Sequence, residues 1–346
     1  MNDTLVGVDL AKAVFQLAIS SRPGRFDSHQ RLTRDQFLPF FAQLPPAIVI
    51  LEACGTAHFW GRKLRELGHV VVLLPPAQVR PFVRRNKTDR SDAKALVEAY
   101  RNGEIRPVPV KTLEQQVLTS LHRLRDGWMG ERTARLNALR GLLREQGVFI
   151  PVGADQVVPA VWALIEDADS ELAAPLRVVF AEACQEIREI ERRLELLERE
   201  LAALARQLPA VERLQQVPGI GLLTSTALVG FAGDLRRFPS ARHFASYLGL
   251  TPREYSSGLR QRLGRISKRG DCYLRMLLVH GARAVLSRAR TVSDPDRLRS
   301  WALALGQRAH HNKATVALAN KLARIAWAVS VRDADYRSVP APTQVA

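Results

Sequence analysis

Three cysteines in 346 residues, Cys54, Cys184 and Cys272, are too few and too scattered for a zinc site or a disulfide framework. They form no CxxC pair, and such usage fits a reducing compartment, the cytoplasm. No apolar run is long enough to span a bilayer, and the first thirty residues lack a signal peptide's pattern, so no membrane partner is expected. No GxGxxG follows the first apolar segment, which argues against a dinucleotide-binding fold. Acid is also scarce. Thirty-four Asp and Glu stand against 51 Lys and Arg, a formal charge of +17. Residues 236–325 alone hold nineteen Lys or Arg against Glu254, Asp271, Asp294 and Asp296, and so carry most of that excess. The segment has no sustained basic amphipathic pattern with an aromatic face, which excludes a membrane-surface helix and leaves nucleic acid as the polyanion partner.

What is present begins as alternating strand and helix. "TLVGVDLAK" reads as a buried strand carrying Asp9, "VFQLAIS" as a second and "SHQRLT" as a third, at the edge. "RDQFLPFFAQL" is helical, "AIVILEA" is a strand ending at Glu52, "AHFWGRKLREL" is helical and "HVVVLLPP" a strand. "DRSDAKALVEAYRNG" is a helix closed by Gly103. Three meandering strands followed by strands alternating with helices predict an RNase H-like (RuvC-like) α/β domain over residues 1–106. A helical region over 107–208 follows, with apolar positions at Leu113, Val117, Leu121, Leu124, Leu136, Leu139 and Leu143. Within it Phe180, Ala183, Ile187, Ile190, Leu194, Leu197, Leu201, Leu204 and Leu208 alternate spacings of three and four. This stripe over about 180–208 predicts a coiled coil. An intermolecular coil giving a dimer or tetramer is favoured over pairing with residues 113–143, because the stripe is narrow. A mainly helical, basic C-terminal domain over 209–335 opens on "VPGIG", a helix-hairpin-helix-like element whose Gly219 and Gly221 would offer backbone amides to phosphate. Residues 336–346 form a tail.

The chemistry centres on "NKTDRSDAKAL", two aspartates amid Arg84, Arg85, Lys87, Arg90 and Lys94. Locally Asp89 reads as a helix N-cap and Asp92 as a first-turn acid. In an RNase H-like sheet, however, the strands bearing Asp9 and Glu52 are neighbours, and this helix brings Asp89 and Asp92 to them on one face. Four converging carboxylates repel one another. Magnesium, about two ions per site with manganese able to substitute, resolves that conflict and is suited to phosphodiester chemistry. Arg84, Arg85, Lys87 and Arg90 would hold the nucleic-acid strand around this acidic centre.

"GVDLAK", "LEACGTAHFW", "NKTDRSDA", "VPGIG", "YLGLTPREYSSG" and "GRISKRGDCYLR" occur in this order along nearly the whole chain. They resemble the DEDD transposases of the "IS one-ten / IS eleven-eleven" insertion sequences, with the pilin-gene invertases as relatives. The resemblance implies a RuvC-like domain with its tetrad on Asp9, Glu52, Asp89 and Asp92. It also implies a C-terminal transposase domain with a nucleophilic serine on Ser257, and a non-coding bridge RNA that pairs with donor and target DNA. From the residues alone, Ser256 and Ser267 rival Ser257, and "SSG" is commonly just a turn. Arg253, Arg260, Arg262, Arg265, Lys268 and Arg269 surround the serines and are candidate phosphate ligands. The expected function is metal-dependent DNA recombination through a phosphoserine. The alternatives are a RuvC-like nuclease using water and a non-catalytic nucleic-acid-binding protein.

Overall fold

A computed structural model describes residues 4–83, 89–293 and 295–338, with only the backbone of Asp89 and Arg90. Two compact units divide at residues 114 and 115, so the helical region and the basic C-terminal part fall in one unit. No helix among the described residues is long and apolar enough to cross a membrane.

The first unit contains β1 (Leu5–Leu10), β2 (Val14–Ser20), β3 (Ser28–Thr33), α1 (Arg34–Gln43), β4 (Ile48–Glu52), α2 (Ala57–Glu66), β5 (Val70–Leu74), the single turn α3 (Pro76–Val79) and α4 (Asp89–Arg101). Its sheet order is β3-β2-β1-β4-β5, with β1, β2 and β3 antiparallel and β4 and β5 parallel to β1. This is the RNase H-like arrangement. Strands covered on both faces read as continuous apolar runs, as "VGV", "IVIL" and "VVLL" do. Val6, Val8, Val49, Leu51 and Leu73 face α1 and α2 through Phe37, Phe41, Trp60 and Leu64. Leu5, Ile50, Val72 and Leu74 face α4 through Ala95, Leu96, Val97 and Ala99. Beyond α4, Gly103 takes a φ of 72°, and its N–H donates to the Tyr100 carbonyl at 3.1 Å.

The second unit takes in nearly all of α5 (Leu113–Glu145), then α6 (Val157–Glu166), α7 (Ala174–Ala205), α8 (Pro209–Gln215), α9 (Leu222–Ala227), α10 (Ala241–Tyr247), the short strands β6 (Pro252–Glu254) and β7 (Leu263–Ile266), α11 (Cys272–Ala289), α12 (Arg297–Arg308) and α13 (His311–Arg332). Ion pairs join Arg125 to Glu198 at 2.8 Å, Arg132 to Glu191 at 2.5 Å and Arg135 to Glu186 at 2.9 Å. Numbers rising along α5 and falling along α7 mean antiparallel pairing inside one chain. The stripe expected to form an intermolecular coil is thus spent within the chain. Phe180, Cys184 and Ile187 meet Leu136, Leu139 and Leu143, while Leu197 and Leu201 meet Leu118. The reason is that α5 offers a matching apolar seam on the same chain, where closing a loop costs only its modest entropy. The face expected for the first half of α5 is also corrected: Leu113 is 63% and Leu124 50% exposed, and Val117 is exposed as well. Leu118 and His122 are buried instead, lying eighteen and fourteen residues, five and four helical turns, before Leu136.

His122 ties three helices together. Its Nε2 lies 3.0 Å from Thr226 Oγ1 and its Nδ1 3.0 Å from the Tyr273 hydroxyl. Thr226 Oγ1 donates to the Leu222 carbonyl at 2.6 Å, so it accepts from Nε2–H, and Nδ1 accepts from Tyr273. The network needs a neutral imidazole. Burial, then Arg125, pushes the His122 pKa from 6.5 to about 4. Around it, α11 and α13 pack through Leu274, Leu278 and Ala282 against Leu318, Leu322 and Ala323.

Candidate active site and nucleic-acid interface

The last paired residues of β1 and β4, Val8 and Leu51, immediately precede Asp9 and Glu52. Two carboxylates therefore sit side by side at the ends of adjacent parallel strands. The pleat decides their direction: Asp9 shares a face with Leu5 and Gly7, and Glu52 shares one with Ile50. Leu5 and Ile50 pack under α4, so both acids lie on the α4 side. At the far end of α4, Arg101 donates to Ser20 Oγ at 2.7 Å, and Ser20 pairs with Leu5 at the start of β1. Helix α4 consequently runs antiparallel to β1, with its first turn at the Asp9 end. Gly7 sets the spacing. A Cβ there would overlap the Ala93 carbonyl oxygen and stand 2.8 Å from Val97 Cγ2. Asp92, half-buried, directly precedes Ala93. The backbone of Asp89 opens the helix one turn earlier, while its side chain lies outside the described residues. The fold thus gathers Asp9, Glu52 and Asp92 at one corner. Among the described residues, no three His, Cys, Asp or Glu side chains stand close enough to hold a metal ion.

In the other unit β6 and β7 form a ribbon. Its tip is closed by Ser257 N–H donating to the Arg260 carbonyl at 3.3 Å and Arg260 N–H donating to the Ser257 carbonyl at 3.1 Å. The two neighbouring serines differ sharply. The Ser256 hydroxyl donates to Glu254 Oε1 at 2.6 Å and accepts from Arg262 N–H at 3.1 Å. Ser257 is exposed, and among the described residues its hydroxyl makes no hydrogen bond. The ribbon's base is clamped: Arg275 donates to the Leu248 and Arg269 carbonyls at 3.0 and 3.1 Å, and Asn320 donates to the Leu250 carbonyl at 3.1 Å.

Over 342 residues the chain is 44% identical to a probable family 20 transposase of Pseudomonas aeruginosa, covering 97% of this chain and 99% of that protein. The chain belongs to the IS110 family of DEDD transposases. The family's DEDD transposase model matches residues 6–147, and the model of the IS116/IS110/IS902 transposase family matches residues 211–297. The transposase for insertion sequence element IS1328 of Yersinia enterocolitica is 38% identical, covering 96% of this chain and 98% of that protein. That for IS1111A of Coxiella burnetii is 37% identical, covering 96% and 91%. The protein is an insertion-sequence transposase acting on DNA.

In this transposase Arg253, Arg260, Arg262, Arg265, Lys268 and Arg269 are all exposed along the ribbon and its base. None is ion-paired among the described residues, so their charge is open to a partner. Arg84, Arg85 and Lys87, and the side chain of Arg90, lie outside the described residues. The "VPGIG" turn joins α8 to α9. Gly219 has a φ of 84°, and a Cβ on it would come within 2.8 Å of the Gly281 carbonyl oxygen on α11. Close backbone packing therefore accounts for that glycine, whereas Gly221 faces open space. Sequence reasoning missed Glu254, Arg275 and Asn320, which shape the serine ribbon. Glu254, two residues before Ser256, was the one visible signal: a lone acid in an arginine-rich stretch.

Proposed function

We propose that this transposase cuts and rejoins DNA by metal-assisted phosphoryl transfer through a phosphoserine on Ser257, guided by a bridge RNA as in the family it resembles. The observation that carries the reading is the contrast at the ribbon tip. The Ser256 hydroxyl is held by Glu254 and the Arg262 amide, while the Ser257 hydroxyl is exposed and uncommitted on a ribbon that also carries Arg253, Arg260 and Arg262. The carboxylates of Asp9, Glu52 and Asp92, which the topology brings to one corner, are hard oxygen donors of the kind magnesium takes, and the backbone of Asp89 lies one turn before Asp92. When bound, divalent cations would polarise the scissile phosphodiester and favour the ionised serine. Asp9, Glu52, Asp89 and Asp92 would hold them, and the ribbon arginines would neutralise the charge that develops on phosphate. The Ser257 Oγ–P bond forms as P–O3′ breaks, and the 3′ hydroxyl leaves with a proton. Reversal with an incoming 3′ hydroxyl reseals the strand without an external energy source. Ser257 and the acids belong to different units, and nucleic-acid binding and assembly would bring the ribbon onto a tetrad, of its own chain or of another copy.

The test uses the full chain with its copurifying RNA, donor DNA and magnesium, and follows covalent adducts on denaturing gels. Ser257→Ala should lose the adduct, while Ser256→Ala and Ser267→Ala keep it. An adduct that survives in Ser257→Ala refutes the assignment, and free ends with no adduct in any protein would identify a water nucleophile.

A further inference from the structure

A broad groove of about 1460 Å³ lies between the base of the serine ribbon and helices α12 and α13. Arg265 and Lys268 line the ribbon side, and Lys313, Lys321 and Arg324 the α13 side, with Trp301 from α12. No acid lines it. Among the described residues none of these five cations is ion-paired. The Lys321 ammonium stands 3.9 Å from the centre of the Trp301 ring. Burial first, then the neighbouring charges of Arg297 and Arg324, lower the Lys321 pKa, which marks how closely cations crowd there. Lys268 takes a left-handed backbone, φ 54°, that a lysine seldom adopts. The groove is larger and more open than a pocket for a small metabolite. Self-repelling cations along one open channel match a polymer of regularly spaced phosphates.

We propose that this groove seats the phosphate backbone of the duplex DNA whose strand is joined to Ser257. The inference rests on the reading of Ser257 as nucleophile for its location on the substrate, and on charge alone for binding. One ribbon serves both ends, since Arg265 lines the groove and Arg260 closes the tip. Five residues of the ribbon's second arm separate them, at most roughly 16 Å at about 3.3 Å per residue. At about 3.4 Å of axial rise per nucleotide, the groove holds phosphates roughly four to six nucleotides from the bond that is cut. Lys313, Lys321 and Arg324 are then positioning residues, holding the duplex so that the tip meets a single phosphate.

The experiment compares wild type with a Lys313→Gln/Lys321→Gln/Arg324→Gln variant, full chain, on duplex DNA of the donor junction across a salt series. Loss of three phosphate contacts should flatten the slope of log K against log salt by about 2.7. A charge-keeping variant, Lys313→Arg/Lys321→Arg/Arg324→Lys, should retain the wild-type slope. An unchanged slope in the Gln variant overturns the proposal. So does loss of affinity for the copurifying RNA with DNA binding intact, which would make the groove an RNA seat. If the Gln variant does not fold, ethylation interference on wild-type protein decides. Interference at phosphates roughly four to six nucleotides from the cut supports the groove, and none there overturns it. Absence of a serine adduct in wild type would sink the nucleophile while leaving the salt series readable.

Discussion

Gly7→Ala is the smallest change that should disable the acidic corner without touching a carboxylate. The added methyl would overlap the Ala93 carbonyl oxygen and press on Val97 Cγ2, 2.8 Å away. The carbonyl belongs to the α4 backbone, so no rotamer change relieves the clash, and α4 must retreat by roughly 1 Å to restore van der Waals separation. Overpacking of this kind costs about 1–3 kcal/mol. The functional loss should be larger, because α4 carries Asp89 and Asp92 across the strand that carries Asp9. Misplacing catalytic groups by about 1 Å costs on the order of a hundredfold in rate. Denaturant melts and magnesium-dependent strand cleavage would be measured beside Asp9→Asn, the benchmark for a lost ligand. Gly55→Ala, close to Glu52 in sequence but with open space around it, is the matched control. Wild-type cleavage and stability in Gly7→Ala would refute the reasoning, since the close approach would then position nothing.

Two further outcomes are expected. Leu194→Lys/Leu201→Lys should unfold or strongly destabilise the second unit, by more than about 3 kcal/mol per site, because both leucines are buried within one chain. Normal circular dichroism and melting with a halved mass in light scattering would instead return the stripe to an interface between copies. Acid should weaken the same unit through His122, whose pKa is about 4 against an ordinary 6.5. The unfolded chain binds the proton first as pH falls, so stability is full above about 6.5 and drops by about 3 kcal/mol towards pH 4. His58, also lowered to about 4 by burial, acts in the same window in the first unit, so the informative quantity is the difference from His122→Leu. That variant should cost about 1–3 kcal/mol at pH 7 through the stranded Tyr273 and Thr226 hydroxyls and lose its share of the pH dependence. A pH slope equal to wild type would remove His122 from the account.

The topology of the first unit, and with it the neighbouring strand ends that carry Asp9 and Glu52, was legible in the sequence. Strand alternation, the helix-closing Gly103 and the order of Asp9, Glu52, Asp89 and Asp92 are local signals, legible because period and turn chemistry depend on near neighbours. The excess of charge over residues 236–325 was legible in the same way, as a sum needing no geometry. Other features depend on which distant segments meet. The stripe through Leu194 and Leu201 has the same spacing whether its partner is α5 or a second chain, and only the counter-running pairs Arg125–Glu198 and Arg135–Glu186 distinguish them. Ser256 and Ser257 are alike as text, but Glu254 and the Arg262 amide satisfy one hydroxyl and leave the other exposed. Gly7 reads as a strand residue until the Ala93 carbonyl is found against it. The groove gathers Arg265 and Lys268 with Lys313, Lys321 and Arg324 from α13, elements separated by the whole of α11 and α12. Sequence carries what neighbouring residues settle among themselves, whereas satisfied hydroxyls, close backbones and shared fields depend on which distant segments meet.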